Sequence, residues 1–408
     1  MATFSLLILQ IVIILVLAKT FNVLFRKIHQ PRVIGEMFAG LILGPSVFQY
    51  FAPDLSNLLF PPESLVLLSA LGQIGIILYL FLVGLELDTS LLRRHAYSAF
   101  IVGPASLVIP FVLGVLLALY IHDRIGEPGN LFTFSLFLGT ALCVTAFPVL
   151  TRILAELDLL RTKVGVIALA CAALDDVIAW YLLAIVLIIR TSTLSSSFWM
   201  TIIGSGIYIL AMLLVFRRLF SGLERAYLKT KNIGPDLLLL ILLALLTSAW
   251  ITDRLGIHTI FGAFLAGVIM PKGTDFVRAV KKKLEDVTLV LLVPIFFSIT
   301  GLKTSIILIN GSAMWAAFAL LMIVAIAGKF GSATLSAKFT GMNWREASAI
   351  GVLMNTKGLM ELVVLNIGLD IGVISPSLFA MMVLMTFVTT FMATPLLKWI
   401  YPLKYHSA

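Results

Sequence analysis

Apolar residues run along this chain in long blocks, separated by short clusters of polar and charged positions. About thirteen such blocks can be marked: residues 4–25, 33–48, 64–86, 97–121, 131–155, 163–189, 198–216, 235–252, 257–271, 285–305, 312–336, 345–369 and 376–401. A helix needs about 20 apolar residues to cross a ~30 Å hydrocarbon core, and most blocks reach that length. The second and ninth are short and interrupted by glycine. The pattern predicts an all-α polytopic membrane protein of about 13 transmembrane helices. The first block lacks a basic leader and is long enough to span, so it predicts a retained first helix rather than a cleaved signal.

The basic residues sharpen this picture. Arg26, Lys27 and Arg32 follow the first block, Arg93 and Arg94 the third, and Arg152, Arg161 and Lys163 surround the turn between the fifth and sixth. Arg217, Arg218, Arg225, Lys229 and Lys231 follow the seventh; Lys272, Arg278 and Lys281 to Lys283 follow the ninth; Lys338 and Arg345 follow the eleventh. Alternate loops hold only Arg124, Arg190, Arg254 and Lys303 at their margins. Positive charge favours the cytoplasmic side, which predicts an external N-terminus and a cytoplasmic C-terminus. That distribution explains a net charge of +9 without any nucleic acid. With 408 residues, 61% of them hydrophobic and 12% charged, and a mean hydropathy of +1.10, a soluble domain is excluded. Cys143 and Cys171 both lie inside apolar blocks, so no disulfide or metal cluster is expected.

A faint internal repeat is visible. Phe38 to Leu43 (FAGLIL) matches Leu265 to Met270 (LAGVIM), and Phe81 to Glu86 (FLVGLE) matches Ser298 to Lys303 (SITGLK). The partners lie about seven blocks apart, an odd number, so the halves would insert with opposite orientation. Six helices, a linker helix and six inverted helices is the arrangement this predicts.

Asp175 and Asp176 sit in an otherwise apolar run from Val164 to Ile189, near mid-depth. One carboxylate there costs about 2.5–3.5 kcal/mol on insertion scales, so the pair needs compensation or a function. Neighbours on a helix point about 100° apart, so one aspartate can face an ion path while the other pairs with a cation. Lys329, deep in the eleventh block, is the candidate cation. The fifth block carries Thr140, Thr145, Ala146 and Pro148; proline removes a donor and frees a carbonyl near Val144. Its repeat partner, the twelfth, carries the polar interruption Asn355, Thr356, Lys357 and Gly358, with Glu361 four residues beyond Lys357 and able to pair with it. Two interrupted helices in corresponding positions mark a binding site in inverted-repeat transporters. Glu86 and Lys303, equivalent in the two halves, and Glu36 near the start of the second block, are candidates to line vestibules.

These residues carry a resemblance. Leu82 to Asp88, Thr145 to Leu150, Ala173 to Trp180, Phe297 to Lys303 and Met354 to Gly358 together resemble the monovalent cation:proton antiporters of the second family, nearest the plant and fungal cation/H⁺ exchangers and their bacterial relatives. The resemblance covers about residues 30–400. It implies a homodimer built on crossed, discontinuous helices. A dimerisation domain would comprise residues 1–96 and 235–311, an ion-transport core residues 97–189 and 312–402, and a linker residues 190–234. It also implies that Asp176 binds the alkali cation or proton and that Lys329 pairs with Asp175. Close relatives often carry Asn at the position of Asp175, so their stoichiometry does not transfer. Many relatives carry a cytosolic regulatory domain; the chain ends soon after its last block, so none is expected here.

The reading is a secondary antiporter rather than an enzyme, exchanging K⁺ or Na⁺ for H⁺ at Asp176 with help from Thr145 and Asn355. It needs no cofactor and no partner beyond the bilayer and a second copy, and it belongs in a bacterial inner membrane. A gated K⁺ efflux system is the nearest rival, and a solute symporter the next. An intramembrane aspartyl protease needs two aspartates facing each other, which adjacent residues on one helix do not supply.

Overall fold

The computed structural model describes residues 3–28, 30, 32–87, 94–127, 129–191, 196–255, 259–302, 309 and 311–401. Regular structure among them is helical throughout. Nine helices among the described residues are long and apolar enough to cross a membrane, and two shorter apolar ones join them. Packing divides the chain into two units. The first comprises Met1–Leu65, Ser90–Thr191 and Phe297–Ala408; the second comprises Val66–Thr89 and Ser192–Phe296.

The first unit opens with a hairpin of α1 (Thr3–Lys27) and α2 (Arg32–Leu43). Two short helices, Phe48–Phe51 and Pro53–Leu59, lead to α3 (Pro62–Glu86), whose first residues belong to this unit. Then come α4 (Ala96–Ile125), α5 (Leu131–Cys143), α6 (Phe147–Glu156) and α7 (Lys163–Thr191). The second unit holds the rest of α3, α8 (Ser196–Ala211), α9 (Arg217–Thr230), α10 (Pro235–Arg254), α11 (Thr259–Ile269) and α12 (Thr274–Val287). The chain returns to the first unit in α13 (Val293–Leu302), followed by α14 (Ser312–Ile326), α15 (Ser332–Phe339), α16 (Trp344–Met354), α17 (Leu359–Asp370) and α18 (Pro376–Ile400). Lys303 lies outside the described residues.

Two expectations about glycine need correction. The second and ninth blocks are short, but α2 and α11 run unbroken through their glycines. Those glycines serve crossings instead. A Cβ on Gly40 would run into the Ser298 carbonyl on α13, and one on Gly301 into the Met37 carbonyl and, at 2.5 Å, the Leu41 nitrogen. In the second unit a Cβ on Gly267 would meet the Phe81 carbonyl and, at 2.7 Å, the Leu85 nitrogen, while Gly84 faces the Phe264 carbonyl. In lipid, association depends on such close backbone approach, because the hydrophobic effect gives helices little reason to pair. Gly267→Leu therefore prevents α3 and α11 from seating, and the yield of monodisperse protein on size-exclusion chromatography falls sharply.

The basic clusters that follow the seventh and ninth blocks are themselves helical. α9 and α12 are amphipathic, with Tyr227 buried on one and Phe276 and Val280 on the other. A π turn joins α8 to α9 (Met212–Phe216), another joins α12 to α13 (Thr288–Leu292), and a third joins α14 to α15 (Ala327–Gly331). Each adds a residue to one turn and shifts the facing of everything after it.

The first unit's core is built around α5. Phe134, Phe137, Leu138 and Leu142 pack with Leu117 and Ile121 of α4, Leu321 of α14, Leu365 of α17 and Met381, Met382 and Met385 of α18. Beside it, Glu127 ties the α4–α5 turn to the start of α18. Its carboxylate accepts the Ser375 N–H at 2.7 Å and the Ser375 hydroxyl at 2.6 Å. Burial pushes the Glu127 carboxyl up, against the opposing pull of the Ser375 hydrogen bonds and His122. A carboxyl that holds its proton more tightly when folded stabilises the fold at low pH, and that contribution is lost as pH rises through its raised value. Glu127→Gln removes this slope, so its thermal unfolding midpoint relative to the parent's rises between acid and neutral pH.

Candidate functional site

The fifth and twelfth blocks are each broken into two helices. α5 stops at Cys143, residues Val144 to Ala146 are non-helical, and α6 begins at Phe147. Pro148 therefore occupies the first turn of a new helix, where its missing N–H has no intrahelical partner to lose; it starts α6 rather than kinking a continuous helix. α16 stops at Met354, Asn355 to Gly358 leave the helix, and α17 begins at Leu359.

The two breaks are bonded to each other. Ala146 donates its N–H to the Thr356 carbonyl at 3.0 Å. The Thr145 hydroxyl has two acceptors within 2.9 Å, the Met354 carbonyl and Asp175 Oδ2. Gly358 makes this contact possible, since a Cβ there would lie 3.2 Å from the Ala146 Cβ and 2.5 Å from Val149 Cγ2. Thr140 stays within α5, its hydroxyl donating to the Leu136 carbonyl at 2.7 Å.

A helix that ends inside a membrane leaves carbonyls without partners and concentrates partial negative charge at its C-terminus. At α5 two buried lysines meet that need. Lys329, on the widened turn between α14 and α15, donates to the Cys143 carbonyl and to the Ser106 carbonyl at 2.9 Å, and pairs with Asp175 Oδ2 at 2.6 Å. Its three N–H donors are thereby matched by three acceptors. Lys357 lies 3.3 Å from the Ala141 and Leu142 carbonyls, 3.5 Å from that of Val144, and 3.3 Å from Glu361 Oε1. The Val144 carbonyl, in the stretch that Pro148 was expected to free, faces this ammonium.

The second break is held by α18. The Thr386 hydroxyl donates to Glu361 Oε2 at 2.8 Å; Thr390 accepts the Lys357 N–H at 3.2 Å and donates to the Lys357 carbonyl at 2.6 Å. The Thr356 hydroxyl turns back to the Leu353 carbonyl at 2.7 Å. Thr386 and Thr390 were not singled out from sequence, although Thr386, Thr389 and Thr390 form a polar stripe on an otherwise apolar helix and could have been found that way.

Asp175 and Asp176 enter from α7, which packs against both α5 and α16. Asp175 is 1% exposed and Asp176 6%. Asp175 Oδ1, Asp176 Oδ1 and Asn355 Oδ1 are buried and have no hydrogen-bond partner among the described residues. Asp175, Asp176 and Glu361 set against Lys329 and Lys357 leave one acid in excess. The cluster thus combines spare oxygens with one ionisable acid more than it has basic partners.

The remaining candidates stand elsewhere. Glu86 pairs with Lys281 at 2.5 Å in the second unit, and Lys281 also reaches Glu285 at 3.3 Å. Burial alone would lower the Lys281 ammonium, but the hydrogen bond and charge of Glu86, reinforced by Glu285, raise it above its ordinary value. Glu36 is buried in α2 within 3.6 Å of Arg152, a partner that sequence reading missed.

The chain is 39% identical to the Na⁺/H⁺ antiporter NhaS4 of a Synechocystis species, over 99% of each chain. It is 40% identical to cation/H⁺ antiporter 17 of Arabidopsis thaliana and 36% identical to K⁺/H⁺ antiporter 1 of Saccharomyces cerevisiae. Of those two it covers 48% and 47%, so the chain spans about half the length of these plant and yeast relatives. The fold is shared with the solved structure of the sodium proton antiporter MjNhaP1 from Methanocaldococcus jannaschii at pH 8, with a TM-score of 0.69, 16% identity, and 97% and 96% of the two chains covered. The family model for the transmembrane region of sodium/hydrogen exchangers matches residues 12–401, and the chain belongs to that family of secondary transporters.

Proposed function

We propose that this chain exchanges a monovalent cation for protons by alternating access, with Asp176 as the group that each loads in turn. The carrying observation is the single excess acid among buried charges at the crossing of the two breaks. A buried polar atom left without a partner costs about 1–3 kcal/mol, and a charged one more. One proton or one alkali cation removes that excess. A divalent ion or a larger solute does not match the charge.

In this reading Lys329 holds Asp175, and Lys357 with Glu361 completes the end of α5, so Asp176 alone changes its load. Asp175 Oδ1 and Asn355 Oδ1 are oxygens that a partly dehydrated cation can use, and Thr145 fixes the carboxylate beside it. A cation and a proton cannot occupy the carboxylate together, so their competition couples the two fluxes. Exchange then follows from moving the loaded site between the two sides.

Thirteen spans in two inverted sets of six, joined by a linker, complete the proposed architecture. The α2–α13 crossing at Gly40 and Gly301 and the α3–α11 crossing at Gly84 and Gly267 support it, since the repeat that relates α2 to α11 and α3 to α13 exchanges one crossing for the other. The proposed dimer side comprises residues 1–96 and 235–311 and the moving core residues 97–189 and 312–402. The N-terminus is external and the C-terminus cytoplasmic in the plasma membrane of a bacterium.

The test is reconstitution into liposomes carrying a pH-sensitive dye. Addition of each alkali chloride to the parent protein collapses an imposed pH gradient for the transported cations. Flux of alkali ion that ignores the pH gradient would refute the reading.

A further inference from the structure

Arg152, two turns beyond Thr145, is 3% exposed. Its Nη2 lies 3.6 Å from Glu36 Oε1 on α2, and its Nε lies 2.9 Å from Glu156 Oε1 on its own helix. Glu156 Oε2 in turn accepts the Arg32 backbone N–H, at the start of α2, at 2.8 Å. The half-helix that follows the first break is therefore tied to α2 at two points a turn apart. Glu36 is 1% exposed.

α2 is fixed from behind. Ser298 on α13 donates to the Glu36 carbonyl at 2.9 Å, and the Gly40–Gly301 crossing brings the two backbones together. A shift of α6 along or away from α2 must separate the Glu36 carboxylate from the Arg152 guanidinium. The positive-inside pattern puts Arg32 and Arg152 at the same face.

We propose that Glu36, Arg152 and Glu156 form an ion-pair latch that holds α6 on α2 in the conformation seen here and that parts once in every exchange cycle. Arg152 is a positioning residue in this account and does not touch the ion. The strength of the latch sets how readily the site leaves this conformation. The 3.6 Å separation of Arg152 from a Glu36 carboxylate that also bonds the Asn22 side chain is suited to a contact that opens and closes.

The inference rests on the exchange reading above, and the test separates the two. A Glu36→Cys/Arg152→Cys chain, in liposomes, is treated with a short methanethiosulfonate cross-linker and then with dithiothreitol, alongside each single variant. Cross-linking lowers exchange at least about tenfold and reduction restores it, while the same treatment leaves each single variant at its own untreated rate, because only the bridged pair is barred from parting. Cross-linked protein that exchanges at its uncrosslinked rate overturns the latch while leaving the exchange reading intact; a parent protein without exchange overturns the reading itself. Phenylglyoxal labelling of the unaltered chain gives a second measure that does not depend on the variants folding. Peptide mass spectrometry then finds Arg152 modified several-fold faster under a cation and pH gradient than without substrate. Equal labelling in the two conditions also overturns the latch.

Discussion

Asp176→Asn, reconstituted in liposomes, exchanges no cation for protons above empty vesicles, a loss of at least about 100-fold expected for removal of a group on which both substrates depend. The amide takes up no proton and offers a cation no charge. It also removes the excess acid from the cluster around α5, so the remaining buried charges, Asp175 with Lys329 and Glu361 with Lys357, balance. The same substitution is therefore expected to raise the stability of the fold, because a neutral amide is less costly to bury than an acid with no basic partner. Loss of transport with gain of stability distinguishes a carboxylate that takes up the substrates from a structural one, whose removal lowers both. Thiol-reactive dye is a suitable reporter of unfolding, because Cys143 and Cys171 are both buried and free in the folded chain. An Asp176→Asn protein that exchanges normally refutes the assignment.

Much of this site was legible before any coordinates. Proline and a polar tetrad inside apolar blocks announce helix breaks because the bilayer gives such residues no solvent to lean on. Asp175, Asp176 and Lys329 were legible for the same reason: charge in oil requires an explanation. What escaped were the partners that have no sequence signature. Backbone carbonyls at Ala141, Leu142 and Cys143 accept from lysines, yet any residue type supplies a carbonyl. Arg152 looked like one more cytoplasmic charge beside Arg161 and Lys163, and nothing in its neighbourhood names Glu36, which lies far off in the chain. Glu86 was matched by position with Lys303, whereas its carboxylate meets Lys281. The amphipathic helices α9 and α12 were invisible to a search for unbroken apolar runs, since their polar faces interrupt the pattern every turn. The π turn that carries Lys329, Ala327–Gly331, likewise leaves no mark in the run of apolar residues around it.

Lys329→Met tests the other half of the charge argument. Methionine keeps most of the side-chain volume but withdraws all three donors, leaving the Ser106 and Cys143 carbonyls unmatched and Asp175 with Thr145 alone. Removing one partner of a buried pair typically costs about 3–5 kcal/mol, so the variant melts well below the parent. Asp175→Asn alone is also expected to destabilise, because it strands the ammonium. The double variant Asp175→Asn/Lys329→Met carries neither charge and recovers much of the loss, with a coupling of about 0.5–3 kcal/mol in a double-mutant cycle. Asp176 is untouched in that protein and the excess charge is unchanged, so exchange persists at reduced rate. Additive destabilisation in the cycle means that the two groups do not depend on each other, and the pairing loses its role. Recovery of the fold without recovery of exchange assigns Lys329 a part in transport itself, beyond neutralising Asp175. Parallel recovery of both confines the lysine to holding the end of α5 and leaves Asp176 as the single carrier of the load.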